Sequence, residues 1–369
     1  MPIVEIHTDQ YRVPLETPLS DSTHGEMSDF GLVVVRLVDE HGQIGLGYTY
    51  TVNNIGTGAI WKIIDSDLVP LLQGEDPGAI DTLWKKMWWR LHFVGRGGMA
   101  SFAMAAVDIA LWDLRGKRES LPLWQLLGGD SAEVPAYAGG IDLDLPVKGL
   151  CAQAEGFLDQ GFHAIKMKVG RTRLSEDVER VRAMRELLGS NFPLMADANM
   201  RWSIDQAIAA ADALEKFELF WLEEPIVPED LAGHARLGRE TRLPIATGEN
   251  LHSVHEFEHL MTYGHVDFPE PDAATLGGIT PWIEVAKIAQ DRGLPVTSHG
   301  IHDVHVHLLA GVPNASYLEV HGFGLERFLE QRLQLKEGNA IAPNRPGHGV
   351  ALDLDGLRPF REATGSSHD

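Results

Sequence analysis

The sequence predicts an α/β protein in which a closed parallel barrel carries a smaller α+β domain. Three observations predict it. From about Val134 to Val320, eight short apolar segments alternate with amphipathic helical patterns. The first third reads instead as a hairpin followed by helices. A length of 369 residues exceeds one small core and fits a large barrel with a partner domain.

The elements follow in order. Val33, Val35 and Leu37 alternate along a β-branched run, Asp39–Gly42 reads as a turn, and Ile44 to Thr51 returns as a second strand. Helical patterns run from about Ile60 to Leu72, from Ile80 to Trp89 and from Ser101 to Gly116. The third is rich in Ala and apolar on most sides, so it is expected to be buried. The barrel strands are expected at Ala136–Gly139, Ala164–Val169, Phe192–Ala198, Leu219–Glu223, Ile245–Gly248, Val266–Glu270, Pro295–Ser298 and Ser316–Val320. Helices such as Asp177–Leu188 and Ile204–Lys216 lie between them. The stretch from Phe323 onward lacks this repeat and is expected to return to the first domain. The expected division is therefore 1–130, 131–321 and 322–369. Only the tail Ala363–Asp369 is expected to lack order.

Apolar residues make up 44% and charged residues 23%, which is ordinary globular usage. The net charge of −22 repels nucleic acid and anionic membranes. An acidic protein that takes an acidic substrate must reverse the field locally. The single cysteine, Cys151, excludes a disulfide within the chain and points to the cytoplasm. Met1 to Gln10 shows no secretory signal, and no run approaches the ~18 apolar residues of a membrane span.

The chemistry lies at the C-terminal ends of the expected strands. Lys168, Asp197, Glu223, Glu249, Asp272, His299 and Glu319 follow one another at gaps of 29, 26, 26, 23, 27 and 20 residues. Such gaps match one βα unit, so all seven groups are expected on one rim, where barrel active sites lie. Each of the three acids Asp197, Glu223 and Glu249 closes an apolar strand. One alone would be a helix cap. Three converging in an interior repel one another unless a cation neutralises them, and oxygen-only ligands favour Mg²⁺.

In Lys166-Met-Lys168, residues two apart on a strand face the same side, so both amines are expected inside the barrel. Crowding is expected to lower their pKa values and suit one to act as a base. His299 and Asp272 lie on adjacent strands, and the carboxylate would fix the imidazole tautomer. Glu319 would donate a hydrogen bond to a developing anion if it is held protonated. His302, His305 and His307 share no helix face and are read as helix-start and packing residues rather than metal ligands, though His302 or His305 is near enough to touch substrate.

Lys-Met-Lys 166–168, Asp197-Ala-Asn199, Trp221-Leu-Glu-Glu-Pro225, Gly248-Glu-Asn250, Pro271-Asp272, Ser298-His299 and Leu318-Glu319 resemble, in order, the enolase superfamily, mandelate racemase subgroup. The resemblance implies a modified (β/α)7β barrel capped by an α+β domain built from both termini. It implies Asp197, Glu223 and Glu249 as magnesium ligands, Lys168 as one acid/base with Lys166 beside the substrate carboxylate, and the His299–Asp272 pair as the acid/base of the opposite face. Glu319 becomes a donor to that carboxylate. Segments Val94–Gly98, Tyr137–Ile141 and Gly248–His252 resemble acid-sugar dehydratases and cycloisomerases of anhydro sugar acids. Residues Ser20–Gly25 would be a mobile polar lid suited to a polyhydroxylated acid. Asn199, His24, Tyr50, Arg96 and His321 are the candidates for substrate contact. The reaction implied is proton removal beside a carboxylate and β-elimination to a 2-keto-3-deoxy acid, with racemisation as the alternative. A homo-oligomer is expected.

Overall fold

The computed structural model describes residues 2–321 and 324–366. In chain order the strands are β1 (Ile3–Asp21), β2 (Gly25–Asp39), β3 (Ile44–Val52), β4 (Glu133–Gly139), β5 (Ile165–Lys168), β6 (Leu194–Asp197), β7 (Leu222–Glu223), β8 (Ile245–Thr247), β9 (Phe268–Pro269), β10 (Leu318–Val320), β11 (Gln334–Lys336), β12 (Asn339–Ile341) and β13 (Arg361–Ser366).

The first sheet is antiparallel, in the order β13-β1-β2-β3. The β2–β3 turn forms because Asp39 Oδ1 accepts the backbone N–H groups of His41 and Gln43, both at 2.9 Å. Arg118 donates to the other oxygen of Asp39 at 2.9 Å and ties the turn to the helix Met99–Glu119. That helix is buried along most of its length, as its composition predicts. The expected helix over 60–72 begins at Thr57 and passes through a π-helical turn at Ile64–Leu68. The turn stands just ahead of Pro70, which has no N–H to give back to it.

Two expectations need correction here. β1, nineteen residues long, was not foreseen, because Pro14, Pro18 and many polar residues break its pattern. Ala363 to Ser366, expected to lack order, lie in β13 and pair with His7–Gln10 of β1. Gly322, Phe323 and the end of the tail, 367–369, lie outside the described residues.

The parallel sheet runs β4-β5-β6-β7-β8-β9, and β10 pairs with β4. The seventh expected strand, Pro295–Ser298, is reduced to a single bridge from Val296 to Ala315. Its backbone still joins the neighbours: Thr297 N donates to Pro269 O at 3.1 Å and Ser316 N to Val296 O at 2.7 Å. The ring of strands is thereby completed. Ile165, Met167 and Val169 face outward into the main core, which is shared with the helices and the antiparallel sheet. Tyr137, Ala164, Met195 and Trp221 form a separate inner cluster with Phe220 and Phe268. This packed floor makes the barrel a cup, open only at the rim where the strands end.

Candidate active site

Period two along each strand places the rim groups directly above that floor. Ala164 leads to Lys166 and Lys168, Met195 to Asp197, and Trp221 to Glu223. Asp197, Glu223 and Glu249 each offer an oxygen, and these oxygens lie within 4.8 Å of one another. Among the described residues this is the group able to hold an ion. The donor set is all oxygen and buried, which fits a hard cation such as Mg²⁺. Electrostatics point the same way. Burial, with Asp197, Glu319 and Glu249 nearby, pushes Glu223 up to about 8, and burial also raises Glu249. A positive ion among the three carboxylates relieves that repulsion.

Lys166 is buried and paired with Glu223, with Glu319 at 2.8 Å and Asp197 at 3.8 Å. Lys168 pairs with Asp197. The expectation that crowding lowers the lysine pKa values is therefore corrected. Burial disfavours their charge, but the acids facing them outweigh both burial and mutual repulsion and hold both amines above the ordinary range. Glu319 is corrected likewise. Burial favours its neutral form, yet Lys166 and His299 hold it well below the usual carboxylate range, so here it is an acceptor. Gly139 leaves room for it, since a Cβ there would stand 2.7 Å from Glu319 Oε1.

His299 Nδ1 lies 3.2 Å from Asp272 Oδ2, and Nε2 lies 3.2 Å from Glu249 Oε2. Although burial opposes its charge, Glu249 and Asp272 hold the imidazole up at about 10. The base pair expected from adjacent strands is thus assembled beside the acidic trio.

A cavity of about 380 Å³ opens over this rim. Lys168, Glu249, His299 and Glu319 line it, with Asn199, His24, Tyr50 and His321. Apolar residues of the antiparallel domain, including Met27 and Ile60, form its roof. Asn199 Nδ2 donates to Asp197 at 3.3 Å, while its buried Oδ1 has no hydrogen-bond partner. The expected lid is the tip of the β1–β2 hairpin. Ser22 Oγ donates to Ala198 O at 2.6 Å and Thr23 Oγ1 donates to Asn199 O, which docks the tip on the rim. Asp21 accepts the His24 backbone at 2.6 Å and its Nδ1 at 2.7 Å. His24 Nε2 is left for the cavity.

Arg96 does not join this group. Its guanidinium stacks over Trp88, 4.3 Å from the ring centre, and lines a separate groove. An isolated sequence position cannot reveal such stacking. His302 pairs with Asp303 at 3.4 Å, and His307 binds His348 O at 3.0 Å. Neither they nor His305 belongs to the ion-holding group.

Supporting residues escaped the sequence reading. Asp142 accepts Lys168 N at 3.0 Å and pairs with Arg180 at 3.2 Å, which sets the end of β5. It stands 26 residues before Lys168, the rim spacing itself, and that signal could have found it. Trp221 Nε1 donates to Glu223 at 2.9 Å, and Glu224 holds Asn250 at 2.9 Å.

An α/β barrel with a three-carboxylate rim, two lysines on one flank and a His–Asp pair on the other defines a metal-assisted acid/base enzyme. Residues 3–128 match the Mandelate racemase / muconate lactonizing enzyme, N-terminal domain family, and residues 149–356 match the Enolase C-terminal domain-like family. The chain therefore belongs to the mandelate racemase / muconate lactonizing enzyme family of the enolase superfamily. It is 53% identical to a 3,6-anhydro-alpha-L-galactonate cycloisomerase of Streptomyces coelicolor, over 96% of this chain and 98% of that one. It is 36% identical to an L-talarate/galactarate dehydratase of Salmonella typhimurium, over 94% and 88%. Two solved structures are also similar. One is a racemase from Streptomyces coelicolor A3(2) with bound magnesium, with a TM-score of 0.95, 51% identity and 98% and 100% of the two chains covered. The other is the Salmonella dehydratase liganded with Mg and L-lyxarohydroxamate, with a TM-score of 0.94, 34% identity and 99% and 94% covered.

Proposed function

We propose that the protein is a magnesium-dependent lyase or cycloisomerase that removes the proton beside the carboxylate of a sugar acid and eliminates oxygen from the next carbon. The observation that carries this reading is the meeting of the acidic trio with Lys168 and His299 at one cavity. A magnesium ion held by Asp197, Glu223 and Glu249 would polarise the substrate carboxylate and make the adjacent proton removable.

The residues of the chain then divide the work. Lys166 faces the carboxylate as a fixed positive charge that steadies the enediolate. With a cation among the acids that hold Lys168 and His299 charged, one of the two gives up its proton, and that one then takes the α-proton. The other, His299 by preference, gives a proton to the oxygen leaving the next carbon. A free hydroxyl leaves as water, whereas a ring oxygen stays on the chain and the ring opens. In both cases the enol tautomerises to a 2-keto-3-deoxy acid. Asn199, His24 and His321 are the proposed contacts to substrate hydroxyls, with Asp272 aiming His299; Glu319 would donate to the substrate carboxylate once the arriving anion favours its protonated form. Burial pushes His321 down to about 3, which keeps it neutral for that role.

Bases on two flanks also permit proton return from the other side, so racemisation of a 2-hydroxy acid is the second reading. We also take 1–130 as the cap, 131–321 as the barrel and 322–369 as a segment that returns to the cap, its β12 pairing on the way with β4 of the barrel. The setting is cytoplasmic, in keeping with a single cysteine. No helix among the described residues is long and apolar enough to cross a membrane. Exposed Trp89, Phe93 and Val94 support assembly with further copies.

The test is a screen of mono- and diacid sugars with Mg²⁺, including 3,6-anhydro-L-galactonate, that follows both 2-keto acid formation and exchange of the α-proton with deuterated water. Keto acid from a sugar acid bears the proposal out. Turnover confined to interconversion of epimers selects the racemase. Turnover of none overturns both.

A further inference from the structure

Tyr50 stands on β3, in the antiparallel sheet, yet its hydroxyl reaches across to the barrel rim. It donates to Asp272 Oδ2 at 2.8 Å. The same oxygen faces His299 Nδ1 at 3.2 Å, and the phenol oxygen lies 3.3 Å from that nitrogen. One carboxylate oxygen has two lone pairs, so it accepts both donors at once. The other, Oδ1, accepts Ala274 N at 2.7 Å. Asp272 is therefore held from two sides, and one of the two is the cap.

The surrounding backbone is cut to admit the phenol. Gly300 has φ +65°, and a Cβ there would lie 2.3 Å from Tyr50 Oη and 2.8 Å from Asp272 Oδ2. From beneath, buried His305 joins the same two rim segments. Its Nε2 accepts Ala273 N at 2.9 Å and its Nδ1 lies 3.3 Å from Gly300 O. The lysine flank differs: the ionic and hydrogen-bonding partners of Lys166 and Lys168 are barrel residues.

We propose that Tyr50 is a positioning residue: a hydroxyl supplied by the cap orients Asp272, so that His299 is aimed only while the cap is seated on the barrel. The inference rests on the reading of His299 as an acid/base group. It gives the capping sheet a part in the chemistry beyond closing the cavity.

The experiment removes the hydroxyl alone, with Tyr50→Phe in the full chain. The expected protein folds, melts and binds Mg²⁺ as the parent does. Its kcat falls tenfold or more while KM stays within about twofold. In an Asp272→Asn background the same change adds less than twofold, because its acceptor is already altered. Tyr48→Phe, on the same strand but away from the dyad, leaves kcat unchanged. The ¹⁵N resonance of the His299 ring moves in Tyr50→Phe and not in Tyr48→Phe. A raised KM at unchanged kcat would make Tyr50 a substrate contact and overturn the proposal, as would parent-like kinetics or fully multiplicative losses. If the parent turns over no sugar acid, the functional reading fails. The ¹⁵N resonance then still decides the inference, a shift supporting it and an unmoved signal overturning it.

Discussion

The two flanks of the site are built differently. On one, Lys166 and Lys168 project from β5 and are gripped by Glu223, Asp197 and Glu319, with Asp142 and Arg180 fixing the end of their strand. Every one of those partners belongs to the barrel. On the other, His299 leans on Asp272, and Asp272 leans on Tyr50 of the antiparallel sheet. The contrast teaches that one cavity can draw one reactive group from a rigid scaffold and the other from a seam between two bodies. The second should respond more directly to how those bodies sit, since on the lysine side the hairpin tip touches only the supporting backbone around Asp142 and Ala198.

The largest test concerns what the flanks share. Glu249 belongs to the acidic trio and also pairs with His299. Chelation should abolish turnover and Mg²⁺ should restore it. Glu249→Gln should lose turnover at any ordinary magnesium level, and calorimetry should show weakened ion binding.

Next come the flanks themselves. Lys168→Ala and His299→Asn should each lower kcat by about 10² to 10⁴ while ion binding survives. Normal turnover in both would remove the acid/base assignment. Asp142→Asn sharpens the contrast, since it loosens the lysine side alone. A loss of about 10- to 100-fold is expected, with the ¹⁵N signal of the His299 ring unmoved.

The smallest effect is one of stability. Asp108, in the long buried helix, accepts Thr280 N at 2.9 Å and Thr280 Oγ1 at 2.7 Å. Burial pushes it up to about 7 from 3.8. A folded-state pKa above the unfolded one gives stability that is fully present below about 3.8 and is lost as pH rises through about 7. Asp108→Asn should flatten that part of the slope, by up to about 1.4 kcal/mol per pH unit. Thermal melts of both proteins from pH 5 to 8 would show it, and parallel curves would refute it.

Much of the rim was legible in the sequence because regular spacing and strand parity are local properties. Lys166, Lys168, Asp197 and Glu223 stand where those rules place them. β1 was not legible, because its prolines and polar residues hide the alternation. The seventh strand was legible as a position but not as a single bridge. Charge states were not legible at all. The lysine pKa values are raised by acids 29 to 153 positions away in sequence, and no local pattern carries that. Arg96 on Trp88 and Tyr50 on Asp272 are likewise matters of tertiary placement.

The pairing of β13 with β1 has a mechanical consequence. The polypeptide leaves the upper body to enter the cup, and on its way back β12 pairs with β4 of the barrel before the chain finishes beside its own first strand. A cover tied down through both ends of its chain can rock, but it cannot swing clear. Entry of a reactant would then call for a lifting of the hairpin tip from Ala198 and Asn199 rather than a release of the whole cover.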